Sequence, residues 1–153
     1  MKRLITLVVI LSAITVSNIN GQKMDKYYFS KTLNLPFEEA SDKIKAALAE
    51  QQFGIVTEVD MHKKFIEKGI DANAKPYRLL GACNPKLAYD TVLAEENIGL
   101  FLPCKVLVKY IDENTTEIVM IDPTVVMGTL GNPELIPAAE KVTKSFKAAL
   151  DKI

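Results

Sequence analysis

The sequence contains no tryptophan, one histidine (His62) and two cysteines, Cys83 and Cys104. One histidine leaves a zinc site short of ligands, because zinc takes three or four. Two cysteines exclude the dense disulfide framework of small secreted scaffolds. Neither sign of charge dominates, with 19 Lys and Arg against 19 Asp and Glu, and no basic block is present. That argues against a nucleic-acid partner and against an anionic membrane surface. The Cys-x-x-Cys, His-Glu-x-x-His, Gly-x-Ser-x-Gly, phosphate-loop and dinucleotide patterns are all missing. These patterns assign no metal site, they leave cofactor and catalytic residues unknown, and the expected partner is a small molecule or another protein.

One long apolar run is present, at the amino end. Met1-Lys2-Arg3 is basic, Leu4 to Val16 is almost wholly apolar, and Ser17 to Gln22 turns small and polar. That is the order of regions in a secretory signal. The run of 13 residues is short of the roughly 20 that span a bilayer. We expect residues 1–21 to be cleaved, leaving no stable membrane anchor and an exported protein, periplasmic or extracellular. Residues 22–153 then form a single domain with 17 basic and 19 acidic residues, a net charge of −2.

The remainder alternates strand and helix patterns. Lys26–Leu33 reads as a strand, and Pro36 opens a helix whose Phe37, Ala40, Ile44 and Leu48 share a face. Phe53 to Asp60 alternates as a strand with Phe53, Ile55 and Val59 on one side. Asp60 starts a short helix that Gly69 stops. Pro76–Ala82 is a strand, and Asn84-Pro85 supplies a cap and a first-turn proline for a helix through Ala88, Val92 and Leu93. Leu100–Ile111 and Thr116–Asp122 form a hairpin, Thr124–Gly131 is a connection, and a last helix starts at Asn132-Pro133 or Pro137. The order predicts an α+β fold: two layers, a mostly antiparallel sheet of about five strands, helices packed on one face. Whether a second subunit covers the other face is open.

The cysteines mark the candidate site. Cys83 lies where a strand meets a helix amino end, a position that stabilises a thiolate. Gly81 permits a sharp turn or a close approach. Cys104 follows Pro103 and alternates with Val106 and Val108, which points it inward. Three readings stay open for the pair: buried apolar filler, a Cys83–Cys104 disulfide, or a thiol site for redox, sulfur or metal chemistry. His62, beside Lys63 and Lys64, reads as a surface residue. Asp60 and Asp122 sit at strand ends, either as a meeting carboxylate pair or as a helix cap and an Asp-Pro turn.

The segments Pro76-Tyr77-Arg78-Leu79-Leu80-Gly81-Ala82-Cys83-Asn84-Pro85, Ile98-Gly99-Leu100-Phe101-Leu102-Pro103-Cys104 and Ile121-Asp122-Pro123, in that order, resemble the family called domain of unknown function 302. The resemblance extends from about Tyr27 to Ile153. It implies a small α+β domain, a homodimer, and Cys83 and Cys104 as family motif positions, with Lys105 in place of an expected asparagine. It implies no activity. The expected function is non-enzymatic binding of a small molecule near Gly81, Cys83, Asn84, Pro103, Cys104 and Asp122, with thiol chemistry or a purely structural role as alternatives.

Overall fold

A computed structural model of the chain describes residues 26–153; the expected signal segment, residues 1–21, lies outside them. Five antiparallel strands form one sheet in the order β1-β5-β4-β3-β2. They are β1 (Tyr28–Leu33), β2 (Gly54–Asp60), β3 (Tyr77–Cys83), β4 (Cys104–Asp112) and β5 (Thr115–Ile121). Five helices accompany them: α1 (Phe37–Glu50), α2 (Met61–Glu67), α3 (Pro85–Ala94), α4 (Pro123–Gly128) and α5 (Ile136–Lys152). Among the described residues no helix is long and apolar enough to cross a membrane.

Strand periodicity makes the core. Leu80 and Ala82 of β3, Val106 and Val108 of β4, and Ile118 and Met120 of β5 alternate onto one face and are fully buried. The α1 stripe (Phe37, Ala40, Ile44, Leu48) and the α5 stripe (Val142, Phe146, Ala149) pack there in one cluster. Their spacing follows the 3.6-residue helical period. The expected α+β fold, with a five-stranded antiparallel sheet, is thus observed. The opposite face carries a cross-strand row of Val59, Leu79, Leu107 and Val119, of which Val59 is exposed and Leu79 and Leu107 are half-buried.

Four local expectations change. A β-bulge between Ile55 and Thr57 puts an extra residue into β2 and reverses the alternation. Ile55 therefore faces the core, whereas Val59 lies on the other face. The fourth strand starts at Cys104, not Leu100, because Glu96–Phe101 winds into a 3₁₀ helix and Pro103 has no N–H to give a ladder. The connection after Asp122 contains α4, for which Asp122 is the N-cap and Pro123 the first residue. On α3 the inward face is Asn84, Leu87, Ala88 and Thr91, while Val92 and Leu93 are exposed. Burial of Thr91 is tolerable because its hydroxyl donates to the Ala88 carbonyl at 2.8 Å.

The turn after α1 positions one wall of the candidate site. Phe53 N–H donates to Leu48 O at 3.0 Å and Gln52 N–H to Ala49 O at 2.9 Å, with Gln52 at φ 64°. This is a Schellman closure with glutamine in the left-handed position that glycine usually fills. It delivers Phe53 into the core, edge-on to Phe146 with ring centroids 5.0 Å apart.

Candidate functional site

At the end of the sheet where β3 runs into α3 lies a narrow surface cleft of about 300 Å³ counting its open mouth, of which about 20 Å³, near the room of one water molecule, is accessible space. Ala82, Cys83 and Cys104 form its sheet side, Asn84, Leu87, Ala88 and Thr91 its α3 side, and Phe53, Val142, Leu102 and Met127 close it. Its surface is overwhelmingly apolar. Asn84 sits at the mouth because its Oδ1 caps α3, accepting from Leu87 N–H at 3.1 Å.

The sequence-derived candidates separate in space. Cys83, Asn84 and Cys104 line the cleft together. Gly81 is not among the lining residues. It belongs to the opposite row of β3, where an added Cβ would fall 2.2 Å from Thr57 Oγ1 and 2.5 Å from Pro103 Cγ. Pro103 thus packs over Gly81, and glycine is present for close approach, with no turn involved. Asp122 also stays outside the cleft lining. Its Oδ1 accepts from Thr124 N–H at 3.0 Å, Thr124 Oγ1 at 2.6 Å and Thr143 Oγ1 at 3.0 Å. Burial alone would raise its pKa, but these donors outweigh that and hold it below the ordinary carboxylate value. It acts as a cap and ties α4 to α5.

Both cysteines are free. Ala82 is the register partner of Cys104, and Cys83, the last residue of β3, lines the same cleft. Burial raises the Cys83 pKa. For Cys104, burial and then the neighbouring Cys83 push it up to about 11, against a smaller lowering by Lys105. The expected thiolate stabilisation at the α3 amino end is therefore outweighed by desolvation, and both groups are neutral thiols at pH 7.

A second polar constellation, missed in the sequence, lies toward the other end of β3. Arg78 is almost fully buried. Its guanidinium donates to Asp60 at 2.7 Å, Glu38 at 2.7 and 3.1 Å and Ser41 Oγ at 3.1 Å, with Glu58 at 3.1 Å and the Phe37 ring 5.1 Å away. Asp60 makes no side-chain cap to α2 because Arg78 and Lys63 hold it. The Arg78 hydrogen bond takes its pKa well below the usual carboxylate range. His62 is half-buried, its Nδ1 accepting from Tyr77 N–H at 3.1 Å, which corrects the surface reading. The only advance signal was a charged residue at an inward position of β3. Among the described residues no group of three or more His, Cys, Asp or Glu is arranged to hold a metal ion.

The comparison with known proteins agrees with this frame. A sequence model described as "Domain of unknown function DUF302" matches residues 29–153. The chain belongs to this DUF302 family. Its fold matches the crystal structure of an uncharacterized conserved DUF302 protein from Bacillus stearothermophilus, with a TM-score of 0.76 and 28% sequence identity. That match covers 82% of this chain and 97% of the other. No curated protein matches. DUF302 membership therefore accounts for the order of the three motifs and for the sheet, and leaves the cleft as the feature to interpret.

Proposed function

We propose that this DUF302 chain is an exported, non-enzymatic binding domain that takes a small, largely apolar molecule into the cleft between the end of β3, α3 and α5. The observation that carries the reading is the lining of the cleft, apolar walls from β3, α3 and α5 that converge on a mouth held by Asn84. An apolar recess with a few oriented polar groups is the usual form of a ligand site. Asn84 at the mouth and the neutral thiols of Cys83 and Cys104 along the wall are those groups. Thiol chemistry has less support, because burial disfavours both thiolates and a slow nucleophile results.

The test is a thermal-shift screen of small apolar metabolites and anions against the protein and an Ala88→Leu variant that fills the cleft. A ligand at a hundred times its Kd stabilises by about 2.7 kcal/mol, a shift of several degrees for a domain of this size. We expect such shifts in the native protein and their loss in the variant. An absence of shifts, or shifts that survive Ala88→Leu, overturns the reading.

A further inference from the structure

We propose that an open recess between the end of α1, the start of α3 and the middle of α5 binds a small, soluble phosphate monoester with a hydroxylated body, of the sugar-phosphate kind. The recess adjoins the cleft, sharing Phe53, Asn84 and Leu87 with it, but the inference does not rest on the cleft reading. It measures about 650 Å³ counting its open mouth, of which about 290 Å³ is accessible space. That is room for a small organic molecule.

The charge in the recess has one sign. Lys86, Lys141 and Lys144 line it, and no acidic residue does. Lys86 belongs to α3 and the other two to α5, so packing brings the charges together. One turn either side of Lys141 stand Pro137, Ala138, Lys144 and Ser145, a like charge and no acidic partner. Neither Lys141 nor Lys144 takes part in a salt bridge among the described residues. The acidic groups of these helices are placed elsewhere. Glu50 pairs with Lys152, and Glu140 lines two other recesses. Asp90 lies 3.6 Å from Lys86 in an exposed pair, which is weak and readily exchanged. The carbonyls at the end of α1 would repel an anion, but the turn consumes them: Leu48 O accepts from Gln51 and Phe53 N–H, and Ala49 O from Gln52 N–H. Three cations around one opening attract an anion, and the amino end of α3 adds to them.

The type of cation selects the anion. The recess holds no arginine, whose flat fork best matches a carboxylate, whereas separate lysine point charges suit the several oxygens of a phosphate. A phosphate monoester carries about −1.5 to −2 charges at pH 7. Beside the lysines, Gln51, Gln52 and Ser145 line the recess with amides and a hydroxyl that both donate and accept, the complement of sugar hydroxyls. Gln52 adds an independent sign. Its φ is 64°, where glycine would be relaxed, and backbone strain of this kind persists chiefly where a side chain serves a site.

The experiment is isothermal titration of the purified protein, at low salt, with glucose 6-phosphate, inorganic phosphate, citrate and glucose. The variants are Lys141→Gln/Lys144→Gln, Gln52→Gly and Ala88→Leu, each first checked for a native melting transition. Glucose 6-phosphate should bind about tenfold more tightly than phosphate or citrate, and glucose should not bind. The double lysine variant should weaken glucose 6-phosphate about fivefold or more. Gln52→Gly should weaken it about threefold with no fall in melting temperature, which separates a ligand contact from a structural one. Ala88→Leu, which fills only the cleft, should bind as the native protein does, so failure of the cleft reading leaves this inference standing. Vesicles carrying phosphatidylinositol 4-phosphate should not co-sediment the protein; capture there would assign the phosphate to a lipid and overturn the soluble ligand. Absence of binding, citrate or phosphate equal to glucose 6-phosphate, or an unchanged affinity in the lysine variant each overturns the inference.

Discussion

Pro103 packs directly over Gly81, leaving no room for even a methyl group between them: an added Cβ would lie 2.5 Å from Pro103 Cγ and 2.2 Å from Thr57 Oγ1. Gly81→Ala should destabilise the protein by about 1–3 kcal/mol through overpacking. Adding Thr57→Ala removes one of the two clashes, so a double-mutant cycle measured by urea denaturation should show partial rescue. Simple additivity of the two losses would refute the contact.

Arg78 should respond asymmetrically to loss of its partners. Arg78→Gln strands Asp60 and Glu58 beside a buried surface and should cost about 3 kcal/mol. Asp60→Asn removes a charged hydrogen bond to a largely buried side chain and should cost about 2 kcal/mol. Glu38 is 71% exposed, so Glu38→Gln should cost less than about 1 kcal/mol. Chemical denaturation ranks the three, and an equal cost for Glu38 and Asp60 would be inconsistent with this burial.

The same network sets acid stability. The folded pKa of Asp60 is depressed by Arg78, so its contribution is present above the unfolded value near 4. It is lost as pH falls toward the folded pKa. Acid unfolding followed by circular dichroism should move to higher pH in Arg78→Gln. An unmoved acid limb would show that other carboxylates dominate.

Cys104 sets the alkaline limb. Its pKa rises from 9.0 to about 11 on folding, so the neutral thiol is favoured in the native state. The associated stability is intact below pH 9 and is lost as pH rises through 11. The full span corresponds to roughly 2–3 kcal/mol. Cys104→Ala should flatten stability between pH 9 and 11 relative to the native protein. In alkylation, Cys83 should react first, with a midpoint above that of an ordinary thiol, and Cys104 only on unfolding.

At Gln52, φ is 64°, a conformation that disfavours a side chain by roughly 1 kcal/mol. Gln52→Gly should raise stability by a fraction of that, since glycine also loses more chain entropy on folding. A fall in the melting temperature would mean that the Gln52 side chain makes a compensating contact.

These residues also show what a sequence can carry. The Phe37–Leu48 stripe was legible because helical spacing repeats over several turns, and the hairpin because its strands adjoin. Asn84-Pro85 was readable as a helix start, and Asp122-Pro123 has the same cap-and-proline logic, yet the glycines beyond it suggested a loop. The bulge at β2 was not legible, since one inserted residue leaves no periodic trace. The Arg78 cluster draws on α1, β2 and β3, and the cleft joins Phe53 to Met127 and Val142. Such groupings depend on how elements pack, which spacing within one element does not encode. The thiol environment was misread for the same reason: the helix end is local, but the burial that outweighs it comes from distant elements.

Strand order has a consequence for how the chain can assemble. β1 occupies one edge of the sheet and β2 the other; β1 pairs only with β5, Tyr28 meeting Ile121. Lys31 then donates to the Leu150 carbonyl at 3.2 Å across 119 residues of sequence. β1 therefore has no strand to pair with until Thr115–Ile121 is in place, and contacts of such long range form slowly. A chain cut short within α5 loses the clasp on its own first strand. The fold thus closes like a belt, with β1 buckled to β5 and α5 by contacts that no shorter stretch of the domain can make.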